Sequence, residues 1–185
     1  MQVKGAVVHT IPLFIKKRFG EQGYERWLES LSESVNTTFS TIILKNAWFP
    51  LGAGVVEPTL RLCELFYDGD LSGAAEQGRF SAECGIQSVF GFSVTTVSPQ
   101  FIVSRAGEIL QSYYQPCTIE VVETKPTSAT VRITRFDSPY AVVEQRIRGW
   151  AERALEISGA KAPEVRITES MTTGSAYTEL TASWN

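Results

Sequence analysis

The chain has one histidine, His9, and that scarcity removes most acid-base and metal chemistry at the outset. Catalysis through an imidazole would need a nucleophile and an orienting carboxylate gathered around this one residue, and no Gly-x-Ser-x-Gly elbow is present to offer a serine. Between Val8 and Thr10, where two apolar segments meet, His9 reads as a capping or hydrogen-bonding residue. Cysteine is almost as rare. Cys63, Cys84 and Cys117 form an odd set without a Cys-x-x-Cys pair, each beside apolar or small neighbours, and read as reduced core thiols. An enzyme built on His9 or one of these thiols is the remaining catalytic alternative, and the scattered ligands argue against zinc.

Long apolar runs are missing too. No stretch approaches the roughly twenty residues that span a bilayer, and Met1 to Val8 is too short for a signal peptide, so no membrane span and a cytoplasmic location are expected. Excess charge is likewise absent. Seventeen basic against twenty acidic side chains leave a net charge of -3, too small a field to gather phosphate backbones, which argues against nucleic acid as a partner. The one dense basic cluster, Lys16 to Arg18, suits a helix C-terminus.

Partial motifs fail on a single position each. Asp68-x-Asp70-x-Ser72-Gly73 begins like a calcium loop, but Arg79 stands where the bidentate glutamate belongs, so Asp70 or Ser72 is read as a helix cap. Gly52-Ala53-Gly54 gives two glycines of a dinucleotide fingerprint and then Glu57 in place of the third. No phosphate loop exists, and pairs such as Glu120 and Glu123 fall on solvated positions.

What is present is an ordinary globular composition, 43% hydrophobic, 11% aromatic and 20% charged over 185 residues, enough to bury a substantial core as one domain, 1–185. Val3 to Val8 is a short apolar run; Thr10 and Pro12 open a helix expected to end at Gly20, and Tyr24, Trp27, Leu28 and Leu31 share one face of another. Trp48, Phe49 and Pro50 are read as a stop. Helices follow over Val55 to Tyr67, Ser72 to about Val89, and from Ser98-Pro99 to Pro116, the second rich in small residues that let a neighbour approach. The period then changes to two. Cys117 to Thr124 with Ala129 to Thr134 reads as one hairpin and Glu164 to Glu169 with Ala176 to Trp184 as another, separated by a helix from Ser138-Pro139 to Gly159. The predicted class is α+β: a helical N-terminal half packed on a four-stranded antiparallel sheet with one long covering helix.

Large rings crowd the helical middle: Trp48, Phe49, Phe66, Tyr67, Phe80, Phe90, Phe92, Phe101, Tyr113 and Tyr114. Core packing accounts for such a set. The sharper reading is an apolar cavity around Phe80, Phe101, Ile109 and Tyr113, with Arg79 and Arg105 as polar anchors.

Several short motifs carry a family resemblance. Lys4 to Val8, the helix ending at Gly20 and the Trp27-Leu28 helix resemble the N-terminus of haem nitric-oxide-binding (H-NOX) domains. Trp48 to Leu51, Gly78-Arg79-Phe80, Ser98-Pro99, Tyr113-Tyr114, Gly149-Trp150 through Gly159-Ala160, and Trp184 are more similar to a haemless, myxobacterial-type branch. The wider group includes four-vinyl-reductase domains and transport-particle subunits. The resemblance implies an α+β fold, an apolar ligand pocket and often a homodimer, hence a non-enzymatic ligand-binding or sensory domain; a dimerising scaffold without ligand is the alternative. It also implies no cofactor and no metal: Ser98 to Gln115 lacks the family's haem-ligating histidine, no tyrosine opens its Tyr-x-Ser-x-Arg motif, and the final hairpin lacks the four-vinyl-reductase cysteines.

Overall fold

The computed structural model describes residues 1–90 and 98–185, leaving aside the side chains of 86–97. The chain begins with β1 (Gln2–Lys4) and turns straight into α1 (Gly5–Val8) and α2 (Thr10–Ser30), so the apolar opening run is a strand and a helical turn in succession. At Gly20 the backbone takes φ 74 and ψ -175, a conformation open to glycine, so α2 is two helical segments: the one opened at Thr10 ends there, as expected, and the Trp27 segment sets off in a new direction. α3 (Glu33–Phe39) follows, and then β2 (Trp48–Pro50). The expected stop at Trp48-Phe49-Pro50 is thus a strand. It pairs with β1, which also pairs with β3 (Tyr114–Gln115), making a small antiparallel sheet in the order β2-β1-β3.

A wide helical turn, Gly52–Val56, leads into α4 (Glu57–Phe66), and α5 (Ser72–Phe90) comes next. Asp70 caps α5 by accepting from Ser72 N at 2.7 Å, the structural role expected for it. Ser98 accepts from Phe101 N at 3.3 Å and starts α6 (Pro99–Ser104). The single helix expected from Ser98 to Pro116 breaks at Arg105, which leaves helical geometry at φ -101 and ψ 5, and continues as α7 (Ala106–Tyr113).

β4 (Cys117–Lys125), β5 (Ser128–Phe136), β6 (Glu164–Glu169) and β7 (Thr178–Ser183) form one antiparallel sheet in the order β4-β5-β7-β6. α8 (Ala141–Ile157), which starts two residues beyond the expected Ser138-Pro139 cap, covers it, and Gly159 at φ 98 closes the helix. One apolar core runs from Val3 and Val8 through Trp27, Leu62 and Ile147 to Leu180 and Trp184. Among the described residues no helix is long and apolar enough to cross a membrane.

α5 and α8 cross with their backbones nearly touching. A Cβ on Gly78 would overlap the Arg146 carbonyl, and one on Gly149 would overlap the Ala75 carbonyl. The small residues read from the sequence of α5 serve this crossing. Ion pairs lace its rim: Arg79 with Glu152 and Glu156, and Arg153 with Glu83 at 3.1 Å.

The thiols divide. Cys63 and Cys117 are buried, and burial pushes them up to about 11 and about 12, whereas Cys84 is exposed, against the expectation of a third core thiol. At pH 8, iodoacetamide should label Cys84 alone in the folded protein, with the other two reacting only in denaturant, as peptide mass mapping would reveal.

Candidate functional site

Where the sheet meets the helices, the core leaves a gap. Alternation along β5 and β7 points Ala129, Val131, Leu180 and Ala182 to the inner face, and the register sets Val131 opposite Leu180 and Ala129 opposite Ala182. Two alanines facing each other are too short to reach the layer above. That layer consists of Ile102, Val103, Ala106, Ile109 and Leu110 from α6 and α7, and Ile147, Trp150, Ala151 and Leu155 from α8. The space enclosed is about 80 Å³, and its walls are almost wholly carbon.

A smaller space of about 20 Å³ lies beside it, lined by Val7, Ser81, Tyr113, Tyr114 and Arg146 together with Ile109, Leu110, Ile147 and Trp150. The last four residues wall both spaces. The surface of the smaller space too is mostly carbon, but one charged side chain, Arg146, stands among its walls. Arg146 is 2% exposed and donates from Nε to Gln77 Oε1, from one terminal nitrogen to Tyr114 Oη at 2.8 Å, and from the other to Thr10 Oγ1 at 3.4 Å. Gln77 Nε2 donates to the same Thr10 hydroxyl at 3.0 Å, and that hydroxyl donates to Val7 O at 2.7 Å. α2, α5, α8 and β3 are therefore tied together at one buried point. Burial pushes the Tyr113 phenol up to about 12, so it is neutral at ordinary pH.

The residues expected to form a site scatter over three places. Ile109 and Tyr113 meet at the smaller space, and Ile109 also walls the larger. Phe101 packs beside Ile102 and Trp150, with Arg105 over its ring at 5.9 Å and paired to Glu108 at the surface. Arg79 and Phe80 line an open cleft with Phe14, Lys17, Arg18, Glu76 and Glu83, and Arg79 is engaged by the two α8 glutamates. Of the crowded rings, the side chains of Phe90 and Phe92 lie outside the described residues.

Of this polar cluster the sequence reading misses Arg146 and Gln77, and takes Thr10 as a helix opener and Tyr114 as one of the crowded rings. A signal existed. Val143, Arg146, Ile147 and Trp150 follow the i, i+3, i+4, i+7 rule, which places a cation on the apolar face of α8, and Gln77 stands similarly between Ala74 and Ser81. His9 lies half-buried at the junction of α1 and α2, where burial and then Lys45 hold its imidazole below the usual value. Among the described residues no cluster of three or more His, Cys, Asp or Glu side chains is placed to hold a metal ion.

No protein-family profile matches the chain, and no curated protein matches it in sequence. Solved structures do match in fold. The Fe(II) unliganded H-NOX protein from K. algicida superposes with a TM-score of 0.73 at 12% identity, over 98% of this chain and 96% of that one. An H-NOX protein from S. oneidensis in the Fe(II)NO ligation state gives 0.75 at 12% identity, covering 98% and 99%. A structure probing heme distortion in the H-NOX family gives 0.72 at 12% identity, covering 98% and 95%. At such identity the likeness speaks for architecture: this chain has the α+β fold of the H-NOX domains.

Proposed function

We propose that this chain is a non-enzymatic ligand-binding or sensory domain of the cytoplasm that holds a small apolar molecule in the space between its sheet and its helices. One observation carries the reading: a carbon-lined space of about 80 Å³ at the junction of α6, α7, α8 and the sheet, in a fold shared with an H-NOX protein solved in an Fe(II)NO ligation state. Mostly apolar walls are the usual anatomy of a small-molecule site. Within the expected site, the proposed contacts are Ile109 and Tyr113, joined by Trp150, Ile147 and Leu180. The walls of the larger space offer no nucleophile, and a site of aliphatic carbon favours binding over reaction. Unpaired thiols at Cys63, Cys84 and Cys117 support a reducing compartment.

The residues present do not fit a haem. A tetrapyrrole is many times larger than the space, which no imidazole or thiolate lines, and His9 sits at the α1–α2 junction outside both sets of wall residues. Native mass spectrometry of freshly purified protein should show a small organic adduct that acid releases, and haem reconstitution should give no Soret band. A Soret band lost on replacing one tyrosine or cysteine would overturn the haem-free reading.

A further inference from the structure

The partners of Arg146 are all neutral. Gln77, Tyr114 and Thr10 satisfy hydrogen-bond geometry but bring no negative charge, and a guanidinium carries more N–H donors than these three bonds use. Among the described residues, which include every Asp and Glu of the chain, no carboxylate reaches within 4.0 Å of it. A permanent cation buried to 2% exposure without a counter-ion is costly, and proteins ordinarily pair such a group or give it an anion to bind.

Arg146 borders the smaller space, which shares Ile109, Leu110, Ile147 and Trp150 with the apolar one. Arg146 is thus the one charged side chain among the walls of the two spaces. We propose that the ligand is a small aliphatic monocarboxylate, its carboxylate on Arg146 and Tyr114 Oη and its alkyl chain among Val131, Leu180 and Trp150. This rests on the ligand-binding reading above and specifies the ligand's chemistry. Size narrows it further. Benzene fills an engineered cavity of about 150 Å³, so a space of about 80 Å³ suits a short alkyl chain and excludes a long fatty-acid tail.

The test is calorimetric titration of the full chain with sodium pentanoate and with pentan-1-ol, which matches its length without the charge. Pentanoate should bind at least about tenfold more tightly, since charge-assisted bonds are roughly twice as strong as neutral ones. Arg146→Gln should abolish the preference while keeping pentan-1-ol binding. Should that variant not fold, the wild type still decides the matter: the Arg146 Nε–H resonance in ¹⁵N NMR should move on pentanoate saturation and stay still with pentan-1-ol. Equal affinities with an unmoved resonance would reduce Arg146 to a structural clamp, refuting the carboxylate but leaving an apolar ligand. Binding of neither probe would count against the cavity reading itself.

Discussion

Replacing Gly78 by valine should unfold the protein at physiological temperature or lower its stability by about 4 kcal/mol or more. The first carbon alone, in Gly78→Ala, would overlap the Arg146 carbonyl oxygen and come within 3.1 Å of Trp150 N, both backbone atoms that no rotamer change can move. Alanine's better helix propensity offsets about 1 kcal/mol of this, against an overpacking penalty of about 1–3 kcal/mol or more. Valine recovers less of this and adds two methyl groups to the same overlap. Thermal unfolding followed by circular dichroism should rank wild type above Gly78→Ala and Gly78→Val last. Gly149→Ala meets the Ala75 carbonyl at the same crossing, so its effect should not add to that of Gly78→Ala. Equal melting of wild type and Gly78→Val would mean that α5 and α8 lie farther apart than described.

Trp27→Ala should be nearly as damaging, by about 3–5 kcal/mol. Trp27 is fully buried, its ring meets Phe39 edge-on at 5.0 Å, and Nε1 donates to Pro58 O at 2.9 Å across α2 and α4. Truncation leaves a large cavity and removes the hydrogen bond to Pro58 O together. Trp27→Phe keeps most of the volume and loses the bond, so it should fall between; urea unfolding would separate the two contributions. A loss under about 1 kcal/mol for Trp27→Ala would show that this corner is not close-packed.

Both effects involve residues whose surroundings were unequally legible in the sequence. Trp27 announced its helix face through Tyr24, Leu28 and Leu31, because helical periodicity is a local property. The close approach at Gly78 was legible as a run of small residues, but not which helix would approach, since that depends on a partner about seventy positions away. The sheet followed from its period of two. β1 and β3 did not, because strands this short carry too few alternations to show a period, and β2 was hidden by Pro50, which an edge position tolerates. The break at Arg105 leaves no trace in a sequence whose apolar positions run on through it.

The candidate site was legible in its apolar composition more than in its position. Ile109 and Tyr113 lie where a pocket forms, but Arg79 was taken as a ligand anchor when two α8 glutamates already hold it. Arg146 is the cation set into an apolar stripe of α8, away from the arginines that neighbour aromatic rings in the sequence. Its meaning comes from Thr10, Gln77 and Tyr114, which only the fold gathers.

The central claim is an apolar space between the sheet and helices α6 to α8, and diffraction from crystals under xenon pressure tests it most directly. Xenon should appear as one anomalous peak enclosed by Val131, Leu180, Ile147 and Trp150, absent when the crystal has first been soaked in pentanoate. An interior packed solid by those side chains, with no xenon among them, would contradict the account.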